Sequence, residues 1–287
     1  MEKTLVQNIG LLCTPLGSSV HAGEMQGQME KIPDACVLME DGIITYAGSQ
    51  ADFPMENAQG AQVIDAKGCL VTPGLIDAHT HLVFGGWRQH EIPLKLAGAG
   101  YLDILRMGGG ILSTVRHTRE ASEEELFQRS EGFLNEMLSM GVTSCEIKSG
   151  YGLDLENELK QLRVIKKLQE THPMDIDATF LGAHAVPEGY VDLLVEKILP
   201  AVAEEKLARC CDVFCETGVF DVPQSRKVLM AGKALGLVPR IHADEIDAIG
   251  GAQLSAEVGA LSAEHLISSN EEGMQAMAKG GVIADLL

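Results

Sequence analysis

Two histidines one residue apart, His79 and His81, close an apolar stretch, Val71-Thr-Pro-Gly-Leu-Ile-Asp-Ala-His-Thr-His-Leu82. On a β-strand, residues i and i+2 point to the same side. Both imidazoles can therefore reach one metal ion beyond Pro73-Gly74, and imidazole suits Zn, Fe, Ni or Cu. A bare His-x-His also occurs in surface turns, so its meaning depends on what else converges on it. A third ligand is expected from another strand end, and His242 in Ile241-His-Ala-Asp-Glu245 is the best placed. Three protein ligands with one position left open make a catalytic site, in which the ion activates water and polarises a carbonyl. Glu245, just beyond His242, is the candidate general base; the plainer alternative is a solvated carboxylate at a helix start. His265 is the candidate to move a proton or stabilise an oxyanion, against a hydrogen-bonded core histidine.

The elements that must position these residues change character along the chain. Residues 1–70 read as short strands and turns, with a hairpin over 36–48 turning at Asp41-Gly42 and a polar loop over 14–34. That region is too small to hold a core of its own and is expected to be part of a small β-sandwich domain. From 71 to 287, strand candidates at 75–78, 142–148, 176–181, 211–215, 238–242, 260–265 and 282–286 alternate with helices. Ser122 with Glu125 forms a capping box, Gly141 closes that helix, and Asp154 opens the next. Further helices are expected over 223–235, 246–258 and 270–279. Alternation of this kind implies a parallel sheet, one strand short of a (β/α)8 barrel, whose chemistry sits at the C-terminal strand ends. Five of the nine histidines fall at those ends, and His21, His90, His117 and His172 read as solvated.

Composition excludes several classes. The chain has 287 residues, 46% apolar but only 4% aromatic, so its core is aliphatic. A formal net charge of −19 argues against a nucleic-acid partner and against an anionic membrane surface. Seven cysteines at irregular spacing do not make a disulfide framework. Cys210, Cys211 and Cys215 read as buried small apolar residues rather than ligands. No signal-peptide pattern opens the chain and no apolar run approaches a membrane span, so a cytoplasmic protein is expected.

Pro-Gly-Leu-Ile-Asp-Ala-His-Thr-His strongly resembles the amidohydrolase superfamily, metal-dependent hydrolases with a TIM-like barrel and a small β-sandwich. More narrowly, the chain is similar to the imidazolonepropionase family. The matching segments are Asp77-Ala-His-Thr-His-Leu-Val-Phe-Gly-Gly-Trp-Arg88, Gly108-Gly-Gly-Ile-Leu-Ser-Thr114, Thr143-Ser-Cys-Glu-Ile-Lys-Ser-Gly-Tyr-Gly-Leu153, Thr179-Phe-Leu-Gly-Ala-His-Ala-Val-Pro187, Cys211-Asp-Val-Phe-Cys-Glu216 and Ile241-His-Ala-Asp-Glu245. The resemblance implies hydrolysis of 4-imidazolone-5-propanoate to N-formimidoyl-L-glutamate, with one Zn or Fe ion per chain, and suggests a homodimer. It makes His79, His81 and His242 the metal ligands, and Arg88, Tyr151 and His184 the substrate contacts. Glu245 and His265 match the residues that activate water and transfer protons. An arginine fork suits the propanoate carboxylate. Tyr151, between two glycines, is expected exposed on a loop. Gly108-Gly-Gly110 does not lead from a strand into a helix, so it is a poor phosphate cradle and is expected to be a flexible active-site loop. The family takes a fourth ligand, an aspartate, from the end of strand eight. This chain stops at Ile-Ala-Asp-Leu-Leu287 inside the seventh, and Asp285 is not expected to stand in. A C-terminally truncated chain with exposed barrel edges and weak or no activity is therefore the expectation. The alternatives to hydrolysis of the imidazolone are a truncated, inactive metal-binding fragment of the same family and another amidohydrolase acting on a different cyclic amide or amidine.

Overall fold

The computed structural model describes residues 2–17, 19–100, 104, 107–185 and 189–287. Val186 and Pro187 of one motif lie outside the described residues. The chain divides into two compact units, Met1–Gly74 and Leu75–Leu287.

The first unit is a five-stranded sheet of β1 (Lys3–Pro15), β2 (Met29–Glu40), β3 (Ile43–Ser49), β4 (Gln62–Asp65) and β5 (Leu70–Val71). β1 runs antiparallel to β2 and parallel to β4 and β5. Asp41 and Gly42 have φ of 49° and 81°, the left-handed pair that a two-residue hairpin turn requires. The polar loop is shorter than expected: the ladder continues to Pro15↔Met29, because backbone pairing does not need apolar side chains. Between Val6 and Ile9 the β1 register shifts, with Asn8 at φ 55°. One inserted residue flips the following side chains to the other face. Leu5 therefore packs with Cys36, Leu38 and Phe53, and Ile9 with Leu12, Ala35 and Val37.

The second unit begins with β6 (Leu75–Asp77), followed by α1 (Ile92–Leu96), α2 (Ile111–Glu120) and α3 (Glu123–Ser139). Next come β7 (Val142–Lys148), α4 (Leu155–Thr171), β8 (Asp175–Ala183), α5 (Tyr190–Leu193) and α6 (Leu199–Glu205). It closes with β9 (Cys210–Cys215), α7 (Val222–Ala234), β10 (Val238–Ala243), α8 (Gly251–Val258), β11 (Ser262–His265), α9 (Glu271–Gly280) and β12 (Ile283–Asp285). The seven strands form one parallel sheet in chain order, with β6 and β12 at its edges. Both capping signals hold: Ser122 accepts from Glu125 N, and Asp154 from Asn157 N. Leu159, Leu162, Ile165 and Leu168 of α4 are buried at helical spacing, packing into the main apolar core with Ile147 and Phe180. Cys210, Cys211 and Cys215 are all buried.

Three expectations are corrected. Gly110 caps α2 directly and donates its N–H to the buried Glu91 carboxylate at 2.6 Å, so the triple glycine does open a helix and is anchored. The helix expected from 246 starts at Gly251. Ile246 N and Asp247 N donate to Glu216 at 2.8 and 3.2 Å, which holds that stretch as a loop. Residues 111–120 and 190–205 are helical without having been anticipated. Among the described residues no helix is long and apolar enough to cross a membrane.

Candidate active site

Strand alternation turns Glu146 and Lys148, Asp212, Arg240 and His242, and Ser262 and Glu264 toward one another. All are buried. Lys148 Nζ lies 2.7 Å from Glu146 Oε1 and 2.9 Å from both Asp212 Oδ2 and Glu264 Oε2. Arg240 reaches Glu146 Oε1 at 2.8 Å and Ser262 Oγ at 2.8 Å. Barrel interiors are ordinarily filled by branched apolar side chains; this one is ionic. Burial raises the Asp212 carboxyl, but His242 and Lys148 override it and hold the group well below the usual carboxylate range. Sequence reasoning missed Lys148, Asp212, Arg240 and Glu264, although the shared parity of Arg240 with His242 was a signal.

The histidines stand on this cluster. His79 Nδ1 is 2.5 Å from Glu264 Oε2, and His242 Nδ1 is 3.0 Å from Asp212 Oδ2. Both are close imidazole–carboxylate contacts of poor alignment: among the described residues His79 Nδ1, His81 Nδ1 and His242 Nδ1 are buried without a well-aligned hydrogen bond. On the other side, His81 Nε2 is 3.2 Å from His79 Nε2 and 3.4 Å from His242 Nε2. With carboxylates beside two of the Nδ1 atoms, the Nε2 lone pairs face one another, an arrangement a cation relieves. Carboxylates behind metal-ligating histidines fix the ring tautomer and orientation. Nε2 spacings of 3.2 and 3.4 Å thus fit a metal ion that His79, His81 and His242 would hold. Three other groups are also close among the described residues. The ligand atoms of His79, His242 and His265 lie within 4.8 Å of one another, as do those of His79, Glu264 and Asp285 and those of Asp212, His242 and Glu264. Asp285 ends β12 opposite Glu264, and burial followed by the charge of Glu264 pushes its carboxyl up.

Around the histidines, His184 stacks on His81 with ring centroids 4.8 Å apart. Tyr151 is not exposed as expected; it is buried, its ring 5.2 Å from His184 and 5.8 Å from His81. The two glycines that flank it let the loop turn its ring inward. His265 lies 5.2 Å from His79 and 5.1 Å from His242 between centroids. It sits at φ 71°, a costly conformation for a side-chain-bearing residue and one concentrated at functional sites. Its Nε2 is 3.9 Å from Glu245 Oε2. Desolvation pushes the Glu245 carboxyl up. Seven of the eight residues singled out in the sequence are therefore in one group. The eighth, Arg88, is exposed on the segment after β6, with no contact to the histidines among the described residues.

The imidazoles predict an acid limit. Burial, helped by His242, drives His184 down from 6.5 to about 3 and His265 from 6.5 to about 4; burial and neighbouring imidazoles take His81 well below 6.5. In that interval the unfolded chain binds protons that the folded chain refuses, so stability falls as pH falls. His242 has the opposite sign. Burial lowers it, but Asp212 more than compensates and leaves it raised, so its contribution is present in acid and lost as pH rises through the raised value. Three rings outweigh one. The melting temperature of chelator-treated protein is expected to drop between pH 6.5 and about 4; a flat or rising profile would contradict this.

Comparisons with known proteins fit this geometry. The Amidohydrolase family matches residues 62–99. In fold, the chain is similar to N-isopropylammelide isopropylaminohydrolase from Burkholderia multivorans, with TM-score 0.65, 17% identity, and 99% of this chain and 68% of that one covered. It is also similar to a Xaa-Pro dipeptidase, with TM-score 0.64, 16% identity, and 99% and 66% covered. These likenesses show an amidohydrolase-type fold. In sequence, the chain is 50% identical over 296 residues to the imidazolonepropionase of Alkaliphilus metalliredigens, covering 100% of this chain and 70% of that protein. Against the imidazolonepropionase of Clostridium tetani the identity is 47%, covering 99% and 70%. The chain belongs to the imidazolonepropionase family. It spans about 70% of the length of these relatives.

Proposed function

We propose that the protein hydrolyses 4-imidazolone-5-propanoate to N-formimidoyl-L-glutamate, using one Zn or Fe ion held by His79, His81 and His242. The observation that carries this reading is the convergence of three Nε2 atoms at 3.2 and 3.4 Å beside Tyr151, His184 and His265. Substrate and product differ by one water. The water oxygen bonds to the ring carbonyl carbon, the adjacent ring C–N bond breaks, the carbonyl becomes a carboxylate, and the nitrogen leaves with a proton as part of the formimidoyl group. A bound metal supplies Lewis acidity for activating water and polarising the carbonyl. Glu245 takes the proton from the water; burial raises its pKa and so makes it a stronger base than a solvated carboxylate. Glu245 returns that proton to the leaving nitrogen, and His265, held neutral by burial, donates a hydrogen bond to the developing oxyanion. Tyr151 and His184 contact the substrate ring, and Arg88 pairs with the propanoate. The enzyme acts as a homodimer.

Turnover of 4-imidazolone-5-propanoate by metal-loaded protein, followed by formation of N-formimidoyl-L-glutamate, tests the reading; no turnover rejects it. Arg88→Ala is expected to raise KM roughly ten- to hundredfold, since hydrogen bonds to charged groups contribute about 1.5–3 kcal/mol, with a smaller change in kcat. An unchanged KM would assign the propanoate to another residue and favour an uncharged ring as substrate.

A further inference from the structure

The loop that carries Tyr151 is held by two side chains of the helix that follows it. Gly150 N, Gly152 N and Leu153 N donate to the Glu158 carboxylate at 3.2, 2.8 and 2.9 Å, and Tyr151 N donates to Gln161 Oε1 at 3.0 Å. Four successive backbone amides are thus taken by residues three apart on α4, which face the same side of a helix. Glu158 and Gln161 are fully buried. Glu158 is not serving as the helix cap, because Asp154 already accepts from Asn157 N at 2.8 Å. Gly150 at φ 115° and Leu153 at φ 53° shape the amides into a concave nest of the kind that binds anions, and the anion here is internal. Gln161 also donates through Nε2 to Val83 O at 2.7 Å, tying the loop to the segment just after His81.

The same loop sets His184. Gly150 O lies 3.1 Å from His184 Nδ1. A carbonyl only accepts, so Nδ1 carries the hydrogen and Nε2 is left as an acceptor. No side chain fits at 150: a Cβ there would lie 2.8 Å from His184 Nδ1 and 2.8 Å from Leu181 O.

We propose that Glu158, together with Gln161, is a positioning residue for the substrate pocket: by occupying the amides of 150–153 it sets Tyr151 against His81 and His184 and fixes His184 as an Nε2 acceptor for a ring N–H of the substrate. That the pocket takes this substrate rests on the function proposed above; the clamp and the tautomer do not. Glu158→Gln replaces one accepting oxygen by a donor aimed at an amide that also donates, so at least one of the three bonds is lost without loss of volume.

The test combines kinetics, metal content and nitrogen-15 spectra of histidine-labelled protein. In the unaltered protein, His184 is expected to show a single Nδ1–H form. In Glu158→Gln, mixed tautomers are expected, with KM raised about tenfold, a smaller fall in kcat and unchanged metal stoichiometry. An unaltered tautomer with an unchanged KM overturns the proposal. So does a loss of metal and kcat that merely follows a lowered melting temperature, since that marks a purely structural role. If the unaltered protein does not turn over the imidazolone, the functional reading fails while the tautomer measurement still decides the clamp. Should Glu158→Gln fail to fold, Gln161→Met, which leaves the carboxylate in place, is expected to shift the same two readouts in the same directions.

Discussion

Lys148→Met is expected to lower the melting temperature by about 10 °C and to weaken metal binding. The ammonium is the meeting point of Glu146, Asp212 and Glu264, at 2.7, 2.9 and 2.9 Å. Burial alone would push its pKa down, yet the three carboxylates carry it above the ordinary lysine value. Removing one partner of a buried ionic cluster leaves uncompensated charge and costs about 3–5 kcal/mol. For a unit of this size each kcal/mol moves the melting temperature by roughly 2–4 °C. The damage reaches the metal site because Asp212 and Glu264 stand behind His242 and His79. Freed from Lys148, these carboxylates lose the charge that keeps them ionised and stop orienting the rings. Calorimetry and metal analysis on the same sample decide the matter. A melting temperature within about 2 °C of the original would show that the lysine adds no net stability. Lys148→Arg is not expected to rescue, because a planar fork does not fit a niche built around a point charge.

His242→Ala is expected to reduce metal content well below one ion per chain and turnover about a thousandfold, the effect of losing about 4 kcal/mol of stabilisation in the transition state. His242 comes from a strand distant in sequence from the other two ligands, and its Nε2 meets that of His81 at 3.4 Å. Without it, two imidazoles from one turn remain, too few for a site with one open position. Asp212→Asn separates the ligand from its support. It leaves all three imidazoles in place and is expected to weaken metal affinity by about 10–100-fold through the lost contact behind His242. Elemental analysis after dialysis against graded chelator measures both. Full metal retention in His242→Ala would move the third ligand to His265, whose nitrogen lies within 4.8 Å of those of His79 and His242.

Much of this site was legible in the sequence because the information is local. His79 and His81 lie one residue apart just beyond β6, which ends at Asp77, His242, Glu245 and His265 fall at strand ends, and the Ser122 and Asp154 caps mark helix starts by the hydrogen bonds their side chains make. The order of seven parallel strands follows from the alternation of short apolar runs with amphipathic helices. Other features depended on tertiary structure. Periodicity says which residues share a face; it does not say that the face carrying Glu146 and Lys148 is the inside of a curled sheet, where the lysine becomes the centre of a buried ionic cluster. It placed Tyr151 on a loop but could not show that Glu158 and Gln161 hold that loop from an adjoining helix and turn the ring inward. By itself the sequence determined which residues are available for chemistry and which strand ends present them. Only the curling of the sheet decided which charges meet, because the energy of a buried ion pair depends on distances between strands that no spacing along the chain records.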